Sequence, residues 1–586
     1  MRKAKLLLIF LFVVNISFSQ EEIKIKWWKP VNSEVPVIEG RGWLNEGKSI
    51  YHRFPKKAEV TVREDVWNLS KQSAGLSIRF WSNADSIKIK YRLKGSISMN
   101  HMPATGVSGL DLYSKTYDGE WLRCWGSYSI KTESDYSFKI DEKSDSYKKY
   151  GREYQLFLPL YNEIETLEIG VVETSFFKAL PIRNEKPIIA YGTSICQGAC
   201  ASRPGMAWTS ILERKLERPV INLGFSGNGM LEPEVIDLMT EVDAKLYILD
   251  CLPNLHPDED DIYSLTIAAV KKLKMKRPMV PIILTSHIGF AYELTNKKRA
   301  GLILKLNNEF EKAFNDLKSD GFENIFLLQK HDLNFDFDMY VDHIHPNDYG
   351  MMQYANTYEN KIREILDEPV GELSTTMPKT QSRDISVYNW EERHQDVLKL
   401  NKTDKTKICL IGDSIINFWG GEPESTIARG QGSWSSMLEP LCVRNFGFGW
   451  DRIENVLWRV YHDELDGFDA EQIVLMIGTN NLDINSDIEI INGLKALIEA
   501  IKIRQPQTTI QLIGILPRTG KEKRIESINL KLADLAKSES IDFNIIGNPL
   551  LGKDGKINES LFTDGLHPNS EGYLLLGKSL HQLIED

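Results

Sequence analysis

The chain has 586 residues, and at about 150 residues per domain that implies three or four folded units. Hydrophobic residues make up 42% and charged residues 26%, the mix of a packed chain rather than a disordered one. A formal net charge of -11, with no run of Lys and Arg, argues against nucleic acid as a partner.

Met1 to Lys5 is basic, Leu6 to Val14 is apolar, and Asn15 to Gln20 is small and polar. This is the pattern of a signal peptide over residues 1–19, so the protein is expected to be exported, either secreted or periplasmic. The apolar run is too short to span a bilayer, which takes about 20 residues. No later stretch reaches that length unbroken, so no membrane insertion is expected. The sequence holds 6 Cys but no C-x-x-C, which argues for buried thiols and against a structural zinc site. No cofactor or metal is expected.

From residue 20 to 182 short alternating runs recur: EVTVRE (59–64), LSIRFWS (76–82), SIKIKYRL (86–93), GLDLYSK (109–115), YQLFLPLY (154–161) and TLEIGVVE (166–173). Period-2 alternation without long amphipathic helices predicts an antiparallel β-sandwich as an accessory domain. From 183 to 371 apolar runs such as PIIAYGTS (187–194), PVINLGFSG (219–227) and KLYILDCLPN (245–254) alternate with helical stretches. That alternation predicts a parallel sheet covered on both faces, a three-layer α/β unit. Residues 372–384 are rich in Ser, Thr, Pro and Lys and lack periodicity, which reads as a linker. From 385 to 586 the α/β alternation restarts.

The two α/β units carry the same motifs in the same order. The first has Ser194 in YGTSI, Gly227 in NLGFSGN, Asn254 in DCLPN, and Asp342 with His345 in DHIHPN. The second has Ser414 in IGDSI, Trp450 in NFGFGWD, Asn480 in IGTNN, and Asp564 with His567 in DGLHPN. Any one of these strings is weak, and a lone Ser after a strand and a Gly is more often a helix cap. The repeated order is what points to chemistry. Each Ser ends the first strand of its sheet, where such folds bind ligands. Each Asp-x-x-His sets a carboxylate beside an imidazole, the pairing that activates a Ser hydroxyl. Backbone N–H groups and the Asn amides are candidate donors to an oxyanion. His343, between Asp342 and His345, reads as a surface turn residue rather than a ligand, since no third ligand has suitable spacing.

On these motifs both halves resemble the SGNH, or GDSL-type, hydrolases. The resemblance implies a flavodoxin-like α/β fold and ester hydrolysis through an acyl-enzyme. The second half is similar to the platelet-activating-factor acetylhydrolase-like branch through IGDSI, NFGFGWDRIENVLWRV, IGTNN and DGLHPN, and to acetylxylan-esterase-like relatives through NWEERH (389–394). The first half resembles a secreted bacterial branch through GTSICQGACASRPGMAW and DCLPN, and that branch carries an N-terminal β-sandwich. There are departures. Thr193 stands where the family has Asp before the nucleophile, and Trp450 stands where it has a Gly. The resemblance implies a carbohydrate esterase acting on acetylated glycan. A lipid or small-ester hydrolase is one alternative, and a glycan-binding protein with one degenerate unit is another.

Overall fold

In a computed structural model of the chain, residues 24–585 are described, apart from 45, 47, 294, 404 and 405. The signal-peptide segment 1–19 lies outside the described residues.

Both α/β units are built on a five-stranded parallel sheet. In the first, Val220–Gly224, Ile188–Gly192, Leu246–Asp250, Ile282–Thr285 and Ile325–Leu328 lie side by side. In the second, the order is Val443–Gly447, Ile408–Gly412, Gln472–Met476, Thr509–Ile513 and Asp542–Asn544. Each is the 2-1-3-4-5 order of a doubly wound flavodoxin-like sheet. Alternation along the first strand shows why it is apolar throughout. Ile189 and Tyr191 belong to the core on one face, Ile188 and Ala190 to the core on the other. Cys409 and Ile411 divide from Ile408 and Leu410 in the same way. A strand covered on both faces reads as a continuous hydrophobic run.

The N-terminal region has two antiparallel sheets. One orders Ile25–Trp28, Ile164–Val172, Ser86–Leu93, Glu133–Lys139 and Gly126–Ser129. The other contains Ser77–Ser82, Arg152–Phe157 and Asp111–Lys115. Ile87, Ile89 and Val171 from the first sheet and Ile78, Phe80 and Leu156 from the second share one core.

One expectation needs correction. EVTVRE (59–64) is not a strand: a 3-10 helix covers Lys56–Val60 and an α-helix covers Glu64–Ser70. Val60 is 87% exposed, whereas Val62, Val66 and Trp67 are buried with Trp43 and Phe54 in the core of the first α/β unit. Those residues cover one face of the first parallel sheet, and that packing overrides the local alternation. Residues 372–384, read as the linker, are packed against the second unit. Thr375, Thr376 and Gln381 are buried, and Thr375 Oγ1 donates to the Glu489 carbonyl (2.7 Å). All six Cys are free, and all but Cys442 are buried, as expected of thiols used for packing.

Candidate active site

Each parallel sheet ends its first strand at a Gly, and the next two residues start the site. Thr193 and Asp413 each accept from the N–H two residues on, Ile195 (3.3 Å) and Ile415 (2.9 Å). The cap starts the short helices Ser194–Gln197 and Ser414–Asn417, with the Ser as first helical residue. The replacement of Asp by Thr193 therefore leaves the capping function intact.

The other end of the site comes from the last loop of each unit. Asp342 Oδ1 accepts from the N–H groups of Ile344 (3.2 Å) and His345 (2.8 Å). Asp564 Oδ1 accepts from Leu566 (3.1 Å) and His567 (2.8 Å) in the same way. His343 and Gly565 both take left-handed backbone (φ 64 and 77), which closes this turn and fixes the imidazole. His343 is exposed, as its reading as a turn residue requires. Asn347 and Asn569 then cap the helices Asp348–Ile365 and Ser570–Glu585.

The two ends meet. Ser194 Oγ lies 2.8 Å from His345 Nε2, and His345 Nδ1 lies 2.8 Å from Asp342 Oδ2. In the second unit the distances are 2.9 Å from Ser414 Oγ to His567 Nε2 and 2.7 Å from His567 Nδ1 to Asp564 Oδ2. The neutral tautomer that satisfies both bonds carries its proton on Nδ1 and accepts from the Ser hydroxyl at Nε2. Burial works against the Asp342 and Asp564 charges, but the N–H and ring of the paired His hold both carboxyls below their ordinary range. Burial pushes the His567 pKa below its ordinary value despite Asp564, so its neutral, basic form persists further into acid.

The remaining predicted groups line the same place. Gly227 and Trp450 occupy the same left-handed turn (φ 68 and 62). Neither N–H is taken up by a hydrogen bond among the described residues, which leaves both as donors. Asn254, oriented to satisfy its neighbours, accepts from the N–H groups of Asn228 and Gly229 (both 2.9 Å). Asn480 donates to the Asp451 carbonyl (2.9 Å). Each Asn is thus fastened to the turn it follows.

Known proteins similar to this chain give its family. The sequence model of the GDSL-like lipase/acylhydrolase family matches residues 185–363, and a second model of the same description matches 410–575. Residues 25–177 match a model described as the N-terminus of Esterase_SGNH_hydro-type. Platelet-activating factor acetylhydrolase IB subunit alpha2 of Rattus norvegicus is 30% identical over 200 residues, covering 33% of this chain and 83% of that protein. A solved structure from Bacteroides ovatus, described as a GDSL-like lipase, is 32% identical with a TM-score of 0.53, covering 59% of this chain and 98% of its own.

The chain belongs to the GDSL-like lipase/acylhydrolase family. It is an esterase/acylhydrolase, with two units of the family fold in one polypeptide.

Seen against the family pattern, Trp450 keeps the turn that a Gly ordinarily makes. A Cβ built on Gly227 meets nothing within 4 Å, and the Trp450 indole, at the matching position, is 50% exposed. The preceding Gly449 is set by space. A Cβ on it would meet Asp384 Oδ2 at 2.6 Å and Tyr388 Cε1 at 2.9 Å, so space requires the Gly. Sequence reasoning missed the groups that brace this turn. Gln381 Nε2 donates to the Gly449 carbonyl (2.8 Å) and Asp451 Oδ1 (3.0 Å), and Arg383 donates to the Trp450 carbonyl (3.0 Å). It also missed His101, which comes from the N-terminal unit and stacks on His345 (ring centroids 5.4 Å apart). Tyr161, from the same unit, donates to the Ser194 carbonyl (3.2 Å).

Proposed function

We propose that this protein is an exported carbohydrate esterase that removes acetyl groups from polysaccharide or oligosaccharide at two working sites. Ser194 and Ser414 act as nucleophiles, His345 and His567 as general bases, and Asp342 and Asp564 hold the imidazoles in the reactive tautomer. The N–H groups of Gly227 and Trp450 and the amides of Asn254 and Asn480 stabilise the oxyanion. Attack by Oγ on the ester carbonyl sends the hydroxyl proton to Nε2, and the imidazolium returns it to the departing sugar hydroxyl. Water, deprotonated by the same His, then releases acetate from the acyl-enzyme. Each oxyanion donor contributes roughly 3–4 kcal/mol to this barrier.

The observation that carries the reading is the pair of complete Ser–His–Asp chains, every link between 2.7 and 2.9 Å. Acetyl as the acyl group is supported by relatives named acetylhydrolases. The half-exposed Trp450 indole offers a flat apolar face on which a sugar ring can stack. Export is supported by the pattern of residues 1–19, and no helix among the described residues is long and apolar enough to cross a membrane. The platelet-activating factor acetylhydrolase relatives also favour a second reading, hydrolysis of acetyl esters on lipid.

Acetate release from acetylated xylan and other acetylated polysaccharides, measured with Ser194→Ala, Ser414→Ala and the double variant, tests the assignment. Each single variant is expected to lose one component of the activity, and the double variant at least a thousandfold of the total. Undiminished release by the double variant would refute the reading, and faster release from acetylated lipid than from any glycan would favour the second one.

A further inference from the structure

We propose that His101, Cys200, Asp342 and His345 form a binding site for a divalent transition-metal ion of the zinc class, whose occupancy switches the first site off. The switching rests on the esterase reading above, whereas the metal site does not.

One ligand atom from each of the four residues lies within 4.8 Å of the others. They converge from three separate places: a loop of the N-terminal unit, the turn after the Ser194 helix, and the Asp-x-x-His turn. Cys200 is buried and holds a left-handed backbone (φ 67) that non-Gly residues seldom take. Its Sγ donates to the His101 carbonyl (3.2 Å), and the His101 ring lies against His345. Two imidazoles, a thiolate and a carboxylate are a ligand set suited to tetrahedral zinc. Zinc bond lengths place such ligand atoms about 3.3–3.8 Å apart, so the widest gaps must close by roughly an ångström and the 2.8 Å His345 Nδ1–Asp342 Oδ2 contact must open. The thiolate and the carboxylate together neutralise the dication, so no net charge is left in a partly buried place. On binding, the Cys200 thiol proton passes to solvent and the metal takes its position. His345 binds through Nδ1, on the side of Asp342, and the Nδ1 proton moves to Nε2, which then no longer accepts the Ser194 proton.

The second unit provides an internal control. Gly420 stands six positions after Ser414, as Cys200 does after Ser194, and Phe418 rather than a second His lies against His567 (ring centroids 5.1 Å apart). The switch therefore acts on one half only.

Co2+ titrated into the full chain reads the site directly, because a thiolate ligand gives a near-ultraviolet charge-transfer band. One such ion per chain is expected. Cys200→Ser should abolish the band, and His101→Gln should weaken Zn2+ affinity, measured by competition with a chromogenic chelator, by about tenfold or more. Zn2+ should suppress ester hydrolysis by Ser414→Ala, reversibly on chelation, and leave Ser194→Ala unaffected. No charge-transfer band, or one that survives Cys200→Ser, overturns the metal site. A band accompanied by undiminished hydrolysis in Ser414→Ala overturns the switch. A Ser414→Ala chain that hydrolyses no ester refutes the esterase reading of the first half, while the cobalt band still decides the metal site.

Discussion

Two pairs of positions exchange residue types while keeping one backbone shape. Gly227 and Trp450 share a left-handed turn beside the nucleophile, and His343 and Gly565 share another beside the base. Where a side chain occupies such a position it costs about 1–2 kcal/mol relative to Gly. Trp450 carries that cost with its indole half in solvent, so burial of the ring offsets little of it. Trp450→Gly is therefore expected to raise thermal stability slightly. It should also increase hydrolysis of butyryl and longer acyl esters relative to acetyl esters if the half-exposed indole walls the mouth of the second site. Rates on an acyl-chain series in the Ser194→Ala background check this, and proportional changes across the series would count against a walling role.

At the scale of elements, the two capped helices make a natural substitution experiment. Thr193 and Asp413 perform the same cap, yet burial pushes the Asp413 carboxyl up to about 7. In the unfolded chain that carboxyl titrates near 4, so the folded state holds a proton that the unfolded state releases. Its contribution is absent below pH 4 and becomes destabilising as pH rises toward 7, by up to about 4 kcal/mol. Asp413→Thr is expected to melt at a higher temperature than the parent at pH 8 and at nearly the same temperature at pH 4. Melting curves across that range decide it, and a difference independent of pH would contradict the burial argument. The parallel strands were legible in sequence because burial on both faces leaves long apolar runs. The Ser, Asn and Asp-x-x-His groups were legible because they recur in order. Residues 56–70 were not, since the apparent alternation of EVTVRE is undone by packing against another unit. The packing of residues 372–384 was not, because their hydrogen bonds are to residues distant in sequence. His101 and Cys200 were not, because 99 positions separate them and only the docking of two units brings them together.

At the scale of the whole molecule, ion pairs and hydrogen bonds cross between the two α/β units. Within the first unit Arg218 donates to both Glu368 oxygens (3.0 and 2.9 Å), and across the seam it donates to the Tyr461 carbonyl. Arg504 reaches the same carboxylate (3.2 Å), Lys245 pairs with Asp463 (2.8 Å), and Tyr461 donates to the Pro369 carbonyl (2.8 Å). Arg218 and Glu368 are almost wholly buried. Removing one charge of such a pair strands the other and costs about 3–5 kcal/mol. Glu368→Gln should lower the melting temperature and split a single calorimetric transition into two as the units uncouple. An unchanged thermogram would show that the seam does not couple them.

The shared core of the N-terminal region and the first sheet has a consequence for biosynthesis. Trp43, Phe54, Val66 and Trp67 pack into a cluster whose last member is Ile325. A ribosome adding about 5–20 residues per second takes roughly 13–50 seconds to pass from residue 67 to 325. Until that interval ends the cluster is incomplete, although partners such as Ile221 and Phe225 are made sooner. The nascent chain therefore keeps part of this apolar surface exposed until more than half of it has been made.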